Sequence, residues 1–106
     1  MFVINIATDF SVTPGARFKT DGPFSGEEFR EKFLEPLFKD AGDNSEIKII
    51  LDGVEGYSTS FLEEAFGGLA RSYGQERCLK RLKFVSIEEP LLVSEIEGYI
   101  KNTKKQ

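Results

Sequence analysis

The chain has 106 residues, with 14 Lys and Arg against 18 Asp and Glu, which gives a formal net charge of −4. An acidic balance argues against general binding to nucleic acid or to an anionic membrane surface, so we expect neither as a partner. Because no segment has the length of a membrane span or the layout of a signal peptide, we predict a cytoplasmic location.

Side chains that commonly carry catalysis are scarce in this sequence. Histidine is absent, and the single cysteine, Cys78, is interpreted as a buried, small apolar residue. A zinc-type site would lack its usual His and Cys ligands, and a nucleophile would lack a base. We therefore expect no metal, no cofactor and no enzymatic activity.

The first half of the chain predicts two strands and one helix. Alternating apolar residues over positions 2–6 indicate a strand with one buried face, and residues 17–19 indicate a short edge strand. Ser25 and Glu28 have capping-box spacing and open a helix with apolar residues three and four positions apart. We expect Pro36 to kink that helix or to end it early.

The second half predicts two further strands and two further helices. Residues 47–51 are apolar nearly throughout, as in a central strand. Residues 61–73 form an amphipathic pattern that stops at Gly74, and residues 82–87 indicate another strand. Pro90 suits the first turn of a last helix.

Strands that alternate with helices favour an α/β fold. We predict a small mixed β-sheet of about four strands with three helices packed on it, in a single domain that spans residues 1–106. A basic cluster is predicted to be a solvated face. It consists of Arg77, Lys80, Arg81 and Lys83.

The turn before the helix at residues 61–73 is rich in hydroxyl groups. Ser60 and Glu63 have capping-box spacing, so we predict that Ser60 caps the helix. Ser58 and Thr59 are not needed for that cap and are expected to be exposed just ahead of it. A hydroxyl turn at the positive end of a helix dipole favours a phosphate or an acidic group of a partner.

Two adjacent glycines, Gly67 and Gly68, fall on the predicted polar face of this helix. Glycine costs roughly 1 kcal/mol relative to alanine in a helix, so stability alone does not favour two of them. They predict a flat patch that another molecule approaches closely, or else they fit beneath a loop of the same chain. The candidate partner-binding surface comprises Ser58, Thr59, Glu63, Glu64, Gly67, Gly68 and Arg71.

The strand end at residues 52–54, the turn and the Ser/Thr pair resemble the core of STAS domains, named for sulfate transporters and anti-sigma factor antagonists. In the bacterial antagonists, a partner kinase phosphorylates a serine of this turn. An ungapped match places Thr59 at that phosphoacceptor position and Ser60 at the following serine. Ser58 and Phe61 stand where those proteins have Asp and Gly.

Three segments, residues 14–17, 21–30 and 60–67, look more like a divergent bacterial branch, the STAS-like domain family of unknown function. The likeness covers most of the chain. Members accompany ATPases of the histidine-kinase type, so the resemblance implies such an ATPase as the protein partner. It also implies phosphorylation of Thr59 or Ser58 as a switch.

The sequence therefore predicts a non-enzymatic regulatory domain that binds a protein partner through residues 58–71. Phosphate on Thr59 would add negative charge beside Glu63 and Glu64, and the repulsion would release the partner.

Two alternatives remain open. One is a small-ligand sensor that holds an anion or a nucleotide at a glycine-rich helix start. Its candidate residues are Arg17, Lys19, Ser25 and Gly26. The other is a homodimer with a purely structural role.

Overall fold

A computed structural model of the chain describes residues 1–103. Its three strands are β1 (Phe2–Asn5), β2 (Ile47–Ile50) and β3 (Leu82–Val85). They form one parallel sheet with β2 in the centre. The prediction of about four strands in a mixed sheet is therefore wrong, although the α/β class is confirmed.

The strand that was predicted at residues 17–19 does not form. Arg17 and Phe18 lie in a bend, and Lys19–Asp21 is a single 3₁₀ turn. The Phe18 N–H donates to the carboxylate of Asp21 at 3.2 Å, so a side chain satisfies a donor that a strand would have used in a ladder.

Helices fill the connections between the strands. A short helix, α1 (Ile6–Asp9), follows β1 directly. Two long helices each contain a π-helical middle segment and are each made of three consecutive parts. Helix α2 consists of Gly26–Phe29, Arg30–Leu34 and Glu35–Phe38, and helix α3 consists of Thr59–Leu62, Glu63–Gly67 and Gly68–Tyr73. Two further helices are α4 (Gln75–Arg81) and α5 (Leu91–Lys101).

The start of α2 follows the prediction. The Ser25 Oγ accepts the Glu28 N–H at 3.0 Å and caps the helix. Pro36 does not end it, because the wider turns of residues 30–34 lie just before the proline. Such a π segment absorbs the loss of the proline's N–H and the bulk of its ring within a continuous helix.

Helix α4 is absent from the sequence prediction. Gly74 has a φ of 96°, which separates α3 from α4 instead of opening a loop. Arg81, predicted to be solvated, is fully buried and donates to the carbonyls of Leu37 at 2.6 Å and Ser45 at 2.8 Å. The positive charge of Arg81 at the Leu37 carbonyl stabilises the carboxyl-terminal end of α2, where the helix dipole is negative. Cys78 is buried as predicted, and this burial raises the pKa of its thiol to about 12.

The core lies on one face of the sheet. Ile47, Ile49 and Leu82 point to that face and are at most 4% exposed. Phe29 of α2 is central, with ring centroids 5.2 Å from Phe10 and 5.9 Å from Phe61. Helix α3 contacts both α2 and α5, so it runs between them on the core face of the sheet. Within residues 1–103, none of the helices has the length and apolar character needed to cross a membrane.

Candidate functional site

The hydroxyl turn is organised by Ser58 rather than by Ser60. Ser58 Oγ accepts the Phe61 N–H at 3.0 Å and donates to the carbonyl of Gly15 at 2.6 Å. Helix α3 consequently begins at Thr59, and Ser60 lies inside its first turn. The prediction that Ser60 caps the helix is wrong, and so is the idea that Ser58 is a spare hydroxyl.

Thr59 is the exposed hydroxyl of this turn, whereas Ser58 and Ser60 are half-buried. Its side chain lies near Tyr99 of α5 and acts to lower the pKa of that phenol. Tyr99 Oη in turn donates to the Glu95 carboxylate at 2.6 Å, which raises the pKa of Tyr99. Thr59 therefore lies at the positive end of a long helix and near a tyrosine that donates to a carboxylate.

The two glycines of α3 are buried and do not form an open patch. A Cβ on Gly67 would lie 2.6 Å from an oxygen of Glu63, and one on Gly68 would lie 2.5 Å from Arg30 Nη1. The prediction of a flat, exposed surface is therefore wrong. The alternative, that they fit beneath a loop of the same chain, is not correct either, because the covering groups are charged side chains of helices: Glu63 of α3 over Gly67 and Arg30 of α2 over Gly68.

Those charged side chains form a network over α3. Glu63 accepts from Arg17 and from Arg71, each at 2.5 Å. Glu64, which is only 7% exposed, accepts from Arg30 Nη1 at 2.5 Å. Burial would raise the pKa of Glu63, but the hydrogen bonds from Arg71 and Arg17 outweigh it and hold that pKa below its usual value.

Arg30 is the member of this site that sequence reasoning missed. It bridges two helices, because Arg30 Nε donates to Glu35 at 2.8 Å within α2 and Nη1 donates to the Glu64 carbonyl of α3 at 2.8 Å. Glu64 was predicted to face a partner, but this contact directs it into the protein. Only the adjacent glycines hint at such a contact, since they create the space that the guanidinium fills.

The proposed anion site at the start of α2 has its donors already engaged. The Gly26 N–H donates to Ala16 O at 2.8 Å, and the next N–H donates to Arg17 O at 3.0 Å. Lys19 pairs with Glu31 at 2.5 Å, and Arg17 with Glu63. The four predicted residues lie along one loop and helix start, but their geometry does not favour a free anion.

Gly26 instead permits close helix packing. A Cβ at this position would lie 2.5 Å from the Phe61 carbonyl and 3.2 Å from the Ala65 N atom of α3. Backbone atoms cannot move aside as a flexible side chain can. The glycine therefore sets how closely the two helices approach, which is a structural role.

Asp52 fixes the turn beyond β2. Its carboxylate accepts the Ile87 N–H at 3.0 Å and the Glu88 N–H at 2.8 Å, so it ties this turn to the one after β3. The donors come from the other turn, 35 and 36 residues along the chain.

Comparison with known families gives one match. Residues 25–92 match the model of a family described as a STAS-like domain of unknown function (DUF4325). The matched segment runs from the cap of α2 to the start of α5 and covers more than half of the chain. No curated protein and no solved structure matches the chain.

Proposed function

Because the chain belongs to the STAS-like domain family of unknown function, we propose that it is a non-enzymatic regulatory domain that binds a protein partner. The binding surface is the solvent-accessible strip of α3, here called the docking strip, which consists of the exposed Thr59 and the half-buried Ser58, Glu63 and Arg71. Glu64, Gly67 and Gly68 support this strip from within the protein. The partner is an ATPase of the histidine-kinase type, as the resemblance to STAS regulators implies.

The observation that carries this proposal is the position of Thr59. It is exposed, it is the first residue of a long helix, and it occupies the position that resembles the phosphoacceptor of STAS regulators. Ser58 is a poorer acceptor, because phosphate on its Oγ would break the bonds to Phe61 and Gly15.

Phosphate on Thr59 supplies the switch. It adds about −1.5 to −2 charges near neutral pH. That charge lies near Tyr99, which donates to Glu95, and one helical turn from Glu63. Glu64 contributes little to the repulsion, because Arg30 neutralises it inside the protein. An acidic partner surface would be released.

The test uses the histidine-kinase-type ATPase that is encoded nearest to this gene, with Mg²⁺ and ATP. We expect intact-protein mass spectrometry to show the addition of one phosphate, and Thr59→Ala to prevent it. Ser60→Ala is the matched control and should keep the phosphate. Unchanged phosphorylation of Thr59→Ala would overturn the assignment of the acceptor.

Binding is measured separately by calorimetry with the same ATPase. Thr59→Glu should weaken the complex about tenfold or more, because it brings charge into the centre of the docking strip. Thr8→Glu changes another exposed threonine, in α1, and should bind normally. If the unmodified chain, Thr59→Glu and Thr8→Glu all bound the ATPase with equal affinity, the docking strip would not be the interface.

A further inference from the structure

A cleft opens at the carboxyl-terminal end of the sheet, where β2 and β3 finish. Its apolar lining consists of the buried side chains of Leu51 and Leu92 and the half-buried ring of Tyr57. Crevices at this end of parallel strands are the usual binding sites of α/β folds. The empty volume is about 210 Å³. Because pockets for drug-sized molecules begin at roughly 300 Å³, this cleft suits a single side chain.

Three carboxylates surround the apolar lining. Asp52 follows β2, and Glu88 and Glu89 lie in the turn after β3. Within residues 1–103, no ion pair involves any of the three. Burial, together with the negative charges of these three groups, raises the pKa of Tyr57. The cleft therefore combines an apolar lining with negative charge that the described part of the chain does not pair.

The carboxylates are held by the fold but keep oxygen atoms for another molecule. Asp52 accepts two backbone N–H groups, and Glu88 Oε1 accepts the Gly53 N–H at 2.9 Å. Within residues 1–103, neither Glu88 Oε2 nor the Glu89 carboxylate accepts a hydrogen bond, since Ser86 Oγ donates to the Glu89 main-chain carbonyl instead. The positive end of α5 is equivalent to roughly +0.5 charge, which does not balance three carboxylates. The cleft is thus preorganised for a cation.

The chain segments that line the cleft also carry exposed apolar side chains. Ile87, between two lining residues, is 80% exposed, and Leu91, directly before a third, is 83% exposed. They are the two most exposed large apolar side chains of residues 1–103. Exposed apolar groups beside a charged cleft favour a protein partner, because a small free cation would leave them in water.

Arginine is the side chain that fits these features best. Its planar guanidinium group donates to more than one carboxylate oxygen and stacks on aromatic rings, and it is enriched at protein interfaces. We propose that the cleft binds an arginine of a partner protein, whose neighbouring apolar residues pack on Ile87 and Leu91. This surface goes beyond the docking strip, since none of the four docking-strip residues lines the cleft.

An NMR titration of the ¹⁵N-labelled chain tests the proposal. The probe is the peptide acetyl-Gly-Leu-Arg-Leu-Gly-amide, which should shift the amide signals of Gly53, Ile87 and Glu88. Raising the salt from about 0.05 to 0.5 M should weaken binding, since added salt screens exposed charges. The control peptide carries citrulline, which has the shape of arginine without its charge, and it should not bind. Absence of shifts with the arginine peptide, or equal affinity for the citrulline peptide, would overturn the proposal.

Variants of the carboxylates locate the contact. Glu88→Gln/Glu89→Gln removes two charges but keeps an oxygen for the Gly53 N–H, and it should raise the Kd of the peptide about tenfold. Glu46→Gln is the matched control, because it neutralises an exposed carboxylate at the opposite end of the strands. It should leave the Kd unchanged. Circular dichroism melts check that both variants fold, and normal binding by the folded double variant would contradict the assignment of the cleft.

A variant of the apolar rim separates a protein contact from the binding of a free cation. Ile87→Ser should raise the Kd of the peptide about fivefold, because it removes an apolar contact, and should leave the Kd of ethylguanidinium unchanged. If ethylguanidinium bound as tightly as the peptide and Ile87→Ser altered neither, the cleft would bind only a free cation and the proposed protein contact would be wrong. Phosphorylation of Thr59 is measured separately, so either result leaves the proposed function standing.

Discussion

The docking strip and the sheet face that carries Val3, Lys48 and Lys83, here called the open face, lie on opposite sides of the sheet. The charged side chains of the two surfaces differ in whether they form ion pairs. Around the docking strip, Arg17, Arg30 and Arg71 each donate to a carboxylate of the same chain. On the open face, Lys48 and Lys83 lie together, and no ion pair involves either of them within residues 1–103. The difference separates charges that hold the fold together from charges that are available to another molecule.

This contrast changes how substitutions should be interpreted. A substitution in the arginine network alters the packing of α2 on α3 and so confounds folding with partner binding. A substitution of either lysine leaves the core untouched, because both side chains are exposed. Stability measurements on the two sides therefore test the comparison directly.

The largest expected effect is at Arg30. Arg30→Ala should lower the free energy of unfolding by about 3 kcal/mol, because it removes the cation 2.5 Å from the buried Glu64 carboxylate and leaves only Arg17 at 3.5 Å and Arg71 at 3.7 Å. Lys83→Ala, on the open face, should change it by less than about 0.5 kcal/mol. Urea denaturation followed by circular dichroism measures both. Similar values for the two variants would remove the contrast between the sides.

A second prediction concerns the helix contact beneath the docking strip. Gly26→Ala should lower the free energy of unfolding by about 1–3 kcal/mol, because the new methyl group meets the Phe61 carbonyl at 2.5 Å. Gly98→Ala in α5 is the matched control, since no atom lies within 4 Å of its Cβ. It should raise stability by up to about 1 kcal/mol. Thermal unfolding of both variants provides the measurement, and a stabilised Gly26→Ala would contradict the packing described here.

Local patterns predicted the elements that depend on local residues. The alternation over residues 2–6 and the apolar run at 47–51 each correspond to a strand. The Ser25 cap was also found, because a single serine precedes an uninterrupted helical pattern. Helix α4 was missed, because Gly74 was taken as the end of a helix, whereas its positive φ reorients the chain into another one.

The candidate site depended on contacts that local patterns do not contain. A helical wheel at a fixed angle placed Gly67 on the solvent side, but the π segment at residues 63–67 changes the angle between successive side chains. Arg30 lies 34 residues before Glu64, so no spacing within either helix reveals their ion pair. Burial of the glycines was therefore a tertiary effect.

The smallest predicted effect decides where α3 begins. The cap was predicted at Ser60, but the structure assigns it to Ser58, which also donates to Gly15 O at 2.6 Å. Ser58→Ala should lower the free energy of unfolding by about 0.5–2 kcal/mol, since it loses the cap. Ser60→Ala should be neutral or slightly stabilising, because alanine favours a helix interior. If urea denaturation gave the reverse order, α3 would begin at residue 61 and Ser58 would be a spare hydroxyl of the docking strip.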